Sequence, residues 1–305
     1  MEEKCYCYKC DVDVIPKCVT ETNDYTFRGK EFKVKEVILR CPKCNSELFT
    51  DDVVDKSMHE IYNMYLKLFD LSFEKLVSIR KNLNLSQELM SRILGWSKKS
   101  IVRYENFESV PQGEYLNMYI ELNNNPYLIV KILERQKSLF TDEEYYKILR
   151  KLPFFDNYKS INVISFLLKD NPLYETSLMK NCFIIDFYSY KKYGKSITNF
   201  KYARLPYGPC IDNRNKLYNM MIKNNYMEIE ITDGGTIFDS SFDYDNNLFD
   251  SDELEILKSV KEKLKKYSAK ELSEWSHNFM GWKNTKNGDI ISYSYADELD
   301  TKIVE

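Results

Sequence analysis

Cys7-Tyr-Lys-Cys10 and Cys41-Pro-Lys-Cys44, separated by thirty residues, decide how this chain begins to fold. Each is a tight turn that brings two thiolates to one side. Two such knuckles supply four sulfurs, the donor set of a tetrahedral zinc ion. Four protein ligands leave no open coordination position, so the expected ion is structural rather than catalytic. Cys5, in Cys5-Tyr-Cys7, offers an alternative ligand, but only Cys7 completes the two-residue spacing with Cys10. Between the knuckles, Tyr25-Thr-Phe-Arg-Gly-Lys and Phe32-Lys-Val-Lys-Glu-Val-Ile-Leu alternate apolar and polar residues around Gly29, which predicts a β-hairpin or short meander. So small a core cannot stabilise itself, and the metal is expected to supply much of the folding energy of residues 1–52.

Six of the eight cysteines precede residue 45, and only Cys182 and Cys210 lie beyond. The charged start Met-Glu-Glu-Lys-Cys lacks the apolar stretch of a signal peptide, which favours metal over a secreted disulfide scaffold. No apolar run approaches the ~20 residues of a membrane span. A soluble, cytoplasmic protein without a membrane partner is expected. The 305 residues suffice for two or three domains, and 43% hydrophobic residues can build ordinary cores. A net charge of −3 argues against a general nucleic-acid-coating protein, yet the charge is segregated. From Lys75 to Arg103 seven basic residues accompany one acid, Glu88; Ile237 to Leu257 holds seven acids and no Lys or Arg.

The basic stretch reads as short amphipathic helices. Val53 to Phe69 is a connecting helix, with Met58, Ile61, Tyr62, Tyr65 and Leu68/Phe69 at three- and four-residue spacing. Phe73 to Lys81 follows. Ser86 then stands as an N-cap before Gln87-Glu-Leu-Met-Ser-Arg-Ile-Leu94, and Gly95 ends that helix. Ser97 opens Lys98-Lys-Ser-Ile-Val-Arg-Tyr-Glu105, with Ile101 and Tyr104 on one face and Lys99 and Arg103 on another. This is a helix-turn-helix whose second helix enters the major groove. Leu-Ser-Gln, a glycine turn and a helix ending Arg-Tyr-Glu resemble the XRE/Cro-type repressor domain. That resemblance implies a DNA-binding set of Gln87, Ser97, Lys98, Lys99, Val102 and Arg103. Gln87 would touch phosphate or pack beside the recognition helix; Lys98, Lys99, Val102 and Arg103 would face the DNA.

The order of two knuckles, Tyr25-Thr-Phe-Arg-Gly between them, a linker helix and then Leu-Ser-Gln…Arg103-Tyr-Glu resembles the MqsA-type (YgiT-type zinc ribbon) antitoxins over residues 5–135. The resemblance implies a homodimeric autorepressor, joined through its helix-turn-helix half and bound to a palindrome in its own promoter. Lys99 stands where that family often has asparagine, so no operator sequence is carried over.

Gln136 to Lys159 is charged and then punctuated by Leu152-Pro-Phe-Phe, a hinge into a further domain. Beyond it, Ile161–Leu168 and Glu175–Lys192 read as helices, the second with Leu178, Cys182, Ile185 and Tyr188/Ser189 as its buried stripe. Gly194 stops it, Ile197–Leu205 reads as extended, and Pro206-Tyr-Gly-Pro209 is a rigid turn before a helix over 213–223. Asp233-Gly-Gly235 marks a hairpin. Ser251-Asp-Glu-Leu caps a helix to Tyr267, and Ser268-Ala-Lys-Glu271 is a capping box. With two histidines, His59 and His277, and neither a Gly-rich phosphate loop nor a nucleophile elbow, an enzyme is not expected. Tyr193-Gly194, Ala203-Arg-Leu-Pro-Tyr-Gly-Pro209, Leu272-Ser-Glu-Trp-Ser-His277 and Trp282-Lys look like the SocA-like Panacea domain. In that family the domain neutralises the toxin of a neighbouring gene, although one member delivers its toxin to a protease.

The expected architecture is α+β and multidomain. A β-rich zinc ribbon (1–52) and linker helix (53–71) precede an all-α helix-turn-helix domain (72–135). A linker (136–156) leads to a mostly helical Panacea domain with a small β-sheet (157–305). The expected function is a type II antitoxin that binds its toxin through the C-terminal domain and represses its operon through the helix-turn-helix. A ligand- or redox-responsive regulator and a protease adaptor remain the alternatives.

Overall fold

The computed structural model describes residues 4–304, and within the helix Asp51–Lys67 the side chains from Lys56 onward. The charged start at residues 1–3, the last residue and the side chain of Val53 lie outside the described residues. The chain divides into two units, Met1–Pro153 and Phe154–Glu305.

In the first unit, β1 (Cys5–Cys7) pairs antiparallel with β2 (Val12–Val14). β3 (Lys17–Phe27), β4 (Lys30–Arg40) and β5 (Glu47–Leu48) form a second antiparallel sheet in that order. The β3–β4 hairpin turns on Arg28 and Gly29, at φ +51° and +71°. Positive φ at both central residues matches the strand twist and is least costly for glycine. The ribbon core holds Cys5, Cys7, Val14, Leu39, Cys41 and Leu48, so half of its buried side chains are thiols.

α1 (Asp51–Lys67) leads into α2 (Phe73–Asn82), α3 (Gln87–Leu94) and α4 (Lys98–Glu105). The Ser72 and Ser86 hydroxyls accept the Lys75 and Leu89 amides, satisfying donors that a helix start leaves open. Gly95 adopts φ +69° and lets the Trp96 amide close on the Ser91 carbonyl at 2.8 Å. α5 (Glu114–Asn124) and α6 (Leu128–Arg135) complete this helical cluster around Phe73, Leu76, Met90, Ile93, Ile101 and Tyr119. The stretch expected as a linker over 136–156 contains α7 (Asp142–Lys151). A Thr141–Glu144 capping box starts this helix, and its Tyr145, Tyr146, Ile148 and Leu149 are buried. Its i, i+3, i+4 apolar spacing lies beneath the charges that dominate the sequence there.

The second unit is built around α8 (Phe155–Leu168) and α9 (Glu175–Tyr193), the latter preceded by the short β6 (Leu173–Tyr174). A single buried stripe is expected on α9, but residues 177–189 are buried all round, because neighbours cover every face of the helix. Gly194 caps it at φ +69°. The extended stretch expected over 197–205 becomes a strand only at β7 (Tyr202–Leu205), which pairs with β8 (Gly208–Ile211). α10 (Arg214–Lys223) leads to β9 (Glu228–Thr232) and β10 (Gly235–Asp239), and the sheet order is β6-β10-β9. α11 (Ser251–Leu264) is capped by Asp250, one residue earlier than the sequence suggests, in a box with Glu253. α12 (Ala269–His277), with the Ser268–Glu271 box, and α13 (Met280–Asn284) close the chain's regular structure. Among the described residues no helix is long and apolar enough to cross a membrane.

Candidate metal centre and DNA-binding helix

The two knuckles are built alike. After the second cysteine of each, Asp11 and Asn45 take φ +55° and +58°, which turns their amides back to the Cys7 and Cys41 carbonyls at 2.8 and 2.9 Å. Asp and Asn tolerate this left-handed conformation better than most residues. The Sγ atoms of Cys7, Cys10, Cys41 and Cys44 consequently lie within 4.8 Å of one another. Cys7 and Cys44 are 3.6 Å apart, Cys10 and Cys41 4.0 Å. Sulfurs about 2.3 Å from a tetrahedral zinc stand about 3.8 Å apart, so the cluster fits that ion.

Cys5 sits in the ribbon core opposite Val14, and Cys18 is exposed on β3 opposite Leu39; neither joins the four. Ser46 is a group that spacing did not reveal. Its hydroxyl lies 2.9 Å from Cys44 Sγ and 3.5 Å from Cys7 Sγ. Hydrogen bonding by Ser46 is the leading influence holding both thiols below their ordinary range, Cys44 at about 6. Cys10, hydrogen-bonded first to Cys44 and then desolvated, is pushed up to about 12. A dication would favour the thiolate form of each ligand.

The candidate DNA residues occupy one exposed helix and its approach. Lys98, Lys99 and Arg103 of α4 are exposed and Val102 is half-buried, while Ile101 and Glu105 are buried against the bundle. Lys98 reaches Glu88 at 3.0 Å and Arg103 reaches Glu108 at 3.9 Å; all four side chains are at least half exposed. Such surface pairs are weak and exchange readily for phosphate. Ser97 holds the N-cap position in extended backbone, without a side-chain cap hydrogen bond.

Gln87 points elsewhere. Its Nε2 donates to Glu105 Oε2 at 2.9 Å, which places it beside α4. Arg80 makes a two-armed contact to the same carboxylate, 2.6 Å on each arm, and a third bond to the Leu85 carbonyl at 2.8 Å. Glu105 of α4 is thereby tied to α2 and α3. The hydrogen bonds and nearby charge of Glu105 raise the Arg80 guanidinium further above its ordinary value, against the opposing effect of burial. Sequence reading found Arg80 and Glu105 only as helix residues, since their pairing spans 25 positions. A second link likewise escaped it: Arg28 at the ribbon hairpin tip donates to the Pro111 and Val110 carbonyls at 2.9 and 3.1 Å.

In the second unit the motif residues serve the fold. His277 Nε2 lies 3.0 Å from the Pro206 carbonyl, Trp282 donates to the Leu205 carbonyl at 3.1 Å, and Arg204 stacks on Trp282 at 4.4 Å. Lys180, 2% exposed, donates to the Pro209 carbonyl at 3.0 Å, and burial lowers its ammonium to about 8. Gly208 sits directly above it at φ +98°. A side chain there would strike the Ser276 hydroxyl and approach Lys180 Nζ to 2.8 Å. Cys182 is fully buried on α9. Asp186, also fully buried, accepts the Ile197 and Thr198 amides at 2.9 Å, the Tyr202 hydroxyl at 2.7 Å and the Thr198 hydroxyl.

A thiol cluster and a braced basic helix lie in the first unit and a helical core in the second, and known families match both units. Residues 6–133 match the family model of the antitoxin component of bacterial toxin-antitoxin systems, MqsA. Residues 178–283 match that of the antitoxin SocA-like Panacea domain. The chain joins an MqsA-type antitoxin region to a SocA-like Panacea domain. It is similar to antitoxin MqsA of Escherichia coli (strain K12), with 26% identity over 111 residues, 35% of this chain and 85% of that protein.

Proposed function

We propose that the protein is the antitoxin of a type II toxin–antitoxin system, with repression in its first unit and toxin neutralisation in its second. The observation that carries this reading is the pairing of two separately cored units, each matching a different antitoxin family. Cys7, Cys10, Cys41 and Cys44 hold one zinc ion, which ties the two ends of the ribbon together and takes no part in chemistry. Lys98, Lys99, Val102 and Arg103 meet DNA, with Ser97 at the helix start near phosphate. Gln87 acts through Glu105 to hold the recognition helix at its angle. A homodimer formed through the helix-turn-helix half places two such helices on a palindromic promoter. The C-terminal unit holds the toxin in the cytoplasm, and the protein has no catalytic role.

The experiment is to express the adjacent gene with the full chain, with residues 1–153 and with residues 154–305, and to follow growth. Rescue by the full chain and by 154–305 is expected. Rescue by 1–153 alone moves the toxin site to the ribbon, and toxicity unaffected by any of the three removes the antitoxin reading. Gel-shift of the promoter fragment by the full chain tests repression separately.

A further inference from the structure

β9 is the outer strand of its sheet, and residues Glu228 to Ile231 are all exposed. The Asp233-Gly234 turn is closed by the pair Thr232–Gly235. In a two-residue hairpin that pair exchanges hydrogen bonds, and the pattern then alternates along the ladder. The main-chain groups of Glu228, Glu230 and Thr232 therefore point at β10, and those of Ile229 and Ile231 point outward. The side chains sort into two faces. Ile229 is paired opposite Phe238, which is buried and packs on Tyr218 at 4.7 Å between ring centres. The core-facing side of this sheet thus continues outward through Ile229, 46% exposed, to Ile231, 82% exposed. Glu228 and Glu230 occupy the opposite face.

Charge distinguishes this edge from the rest of its segment. Residues 224–257 contain ten acids and no Lys or Arg. Of the six acids from Asp243 to Glu255, four are paired with lysines from elsewhere: Asp243 with Lys169, Asp250 with Lys195, Glu253 with Lys159 and Glu255 with Lys192. Among the described residues Glu228, Glu230, Asp233 and Asp239 of the hairpin have no ion-pair partner. Folded proteins commonly blunt an open edge with charge, and here the charge has one sign. A second copy of the chain pairing on β9 would set glutamates against glutamates, which is unfavourable.

We propose that β9 is a strand-addition site for a partner segment that alternates apolar and basic residues. Its backbone bonds to Ile229 and Ile231, its apolar side chains continue the Phe238 face, and its Lys or Arg side chains stand opposite Glu228 and Glu230. Identifying that partner as the toxin rests on the antitoxin reading above; the recognition chemistry does not.

The test uses the full chain with two kinds of probe. The first is the product of the adjacent gene. Ile231→Pro keeps the β9–β10 ladder, because its amide faces outward, but removes an edge donor; binding is expected to fall at least about tenfold. Glu228→Lys/Glu230→Lys turns attraction into repulsion and is expected to cost about tenfold. Amide exchange of the β10 and α9 amides in each variant reports that the second unit is folded. The second probe is a synthetic peptide alternating valine and lysine, with a valine–glutamate peptide as control. Only the lysine peptide should slow amide exchange at Ile229 and Ile231. If the adjacent product does not bind the wild-type chain, the antitoxin reading fails, and the peptide arm decides the edge. Wild-type affinity in both variants, or equal exchange with both peptides, overturns the proposal.

Discussion

Helices α4 and α9 each carry a buried carboxylate, and the protein accommodates the two differently. Glu105 on α4 is answered by a full opposite charge, the Arg80 guanidinium, with Gln87 filling a remaining site. Asp186 on α9 is answered by two amides and two hydroxyls, all neutral. One turn and a half back along α9, Lys180 is equally buried and bonded to a carbonyl. Burial pushes the Asp186 carboxyl up, against the pull of its hydrogen bonds, and pushes the Lys180 ammonium down. A paired charge locks two helices at a fixed angle, which suits a recognition helix. Burial without an opposite charge shifts Asp186 and Lys180 toward their neutral forms, so the α9 core is sensitive to pH. The thiol cluster would follow the first pattern, with cancellation supplied by the proposed zinc ion.

The largest expected effect comes from removing that ion. Chelation, or Cys41→Ser, should release about one zinc per chain and unfold the ribbon, since half its core is thiol. Metal analysis and amide exchange over residues 5–48 would show it, with the second unit unchanged. Retained metal in Cys41→Ser, or loss in Cys18→Ser instead, would show the ligand set to be wrong.

Next come the two carboxylates. Asp186→Ala should destabilise the second unit by about 3–5 kcal/mol by orphaning four buried donors, and Glu105→Ala should cost a similar amount by stranding Arg80. Denaturant titration measures both. If either substitution is neutral, the contrast between the helices has no energetic content.

Lys180 sharpens the contrast through pH. Its folded value, about 8, lies below its ordinary 10.5, so the unfolded chain binds the extra proton between them. Stability attributable to this group therefore rises with pH from about 8 upward, and charging it below that value costs on the order of 3 kcal/mol. Subtracting the profile of Lys180→Met from that of the wild type removes the groups that do not interact with Lys180. A flat difference between pH 7 and 9.5 would contradict the buried charge.

The smallest effect concerns DNA. Arg103→Ala should weaken specific promoter binding by about 1–3 kcal/mol without altering thermal stability, as loss of one base contact does. Glu105→Gln, which keeps the Gln87 and Arg80 contacts in weaker form, should lower affinity through helix position alone. Binding unchanged in both Arg103→Ala and Lys99→Ala proteins would mean that α4 does not enter the groove.

Local rules determined much of this protein. The Cys-x-x-Cys spacing, the serine caps at 86 and 268, and the glycines at 95 and 194 fix conformation within a few residues. Their consequences were legible without a structure. The four-thiol grouping and the exposed Lys98, Lys99 and Arg103 belong to the same class, because turns and helix periodicity act at short range. The Arg80–Glu105–Gln87 contact, the Arg28 latch onto residues 110–111 and the Asp186 cradle join positions 11 to 83 apart. No local preference encodes them. Helix α7 shows the same limit in reverse, since its charges read as a linker until burial of Tyr145, Ile148 and Leu149 reveals its packed face. What only the tertiary structure decided is which polar groups become buried together, because the cost of burying a charge depends on the partners that distant chain segments bring to it.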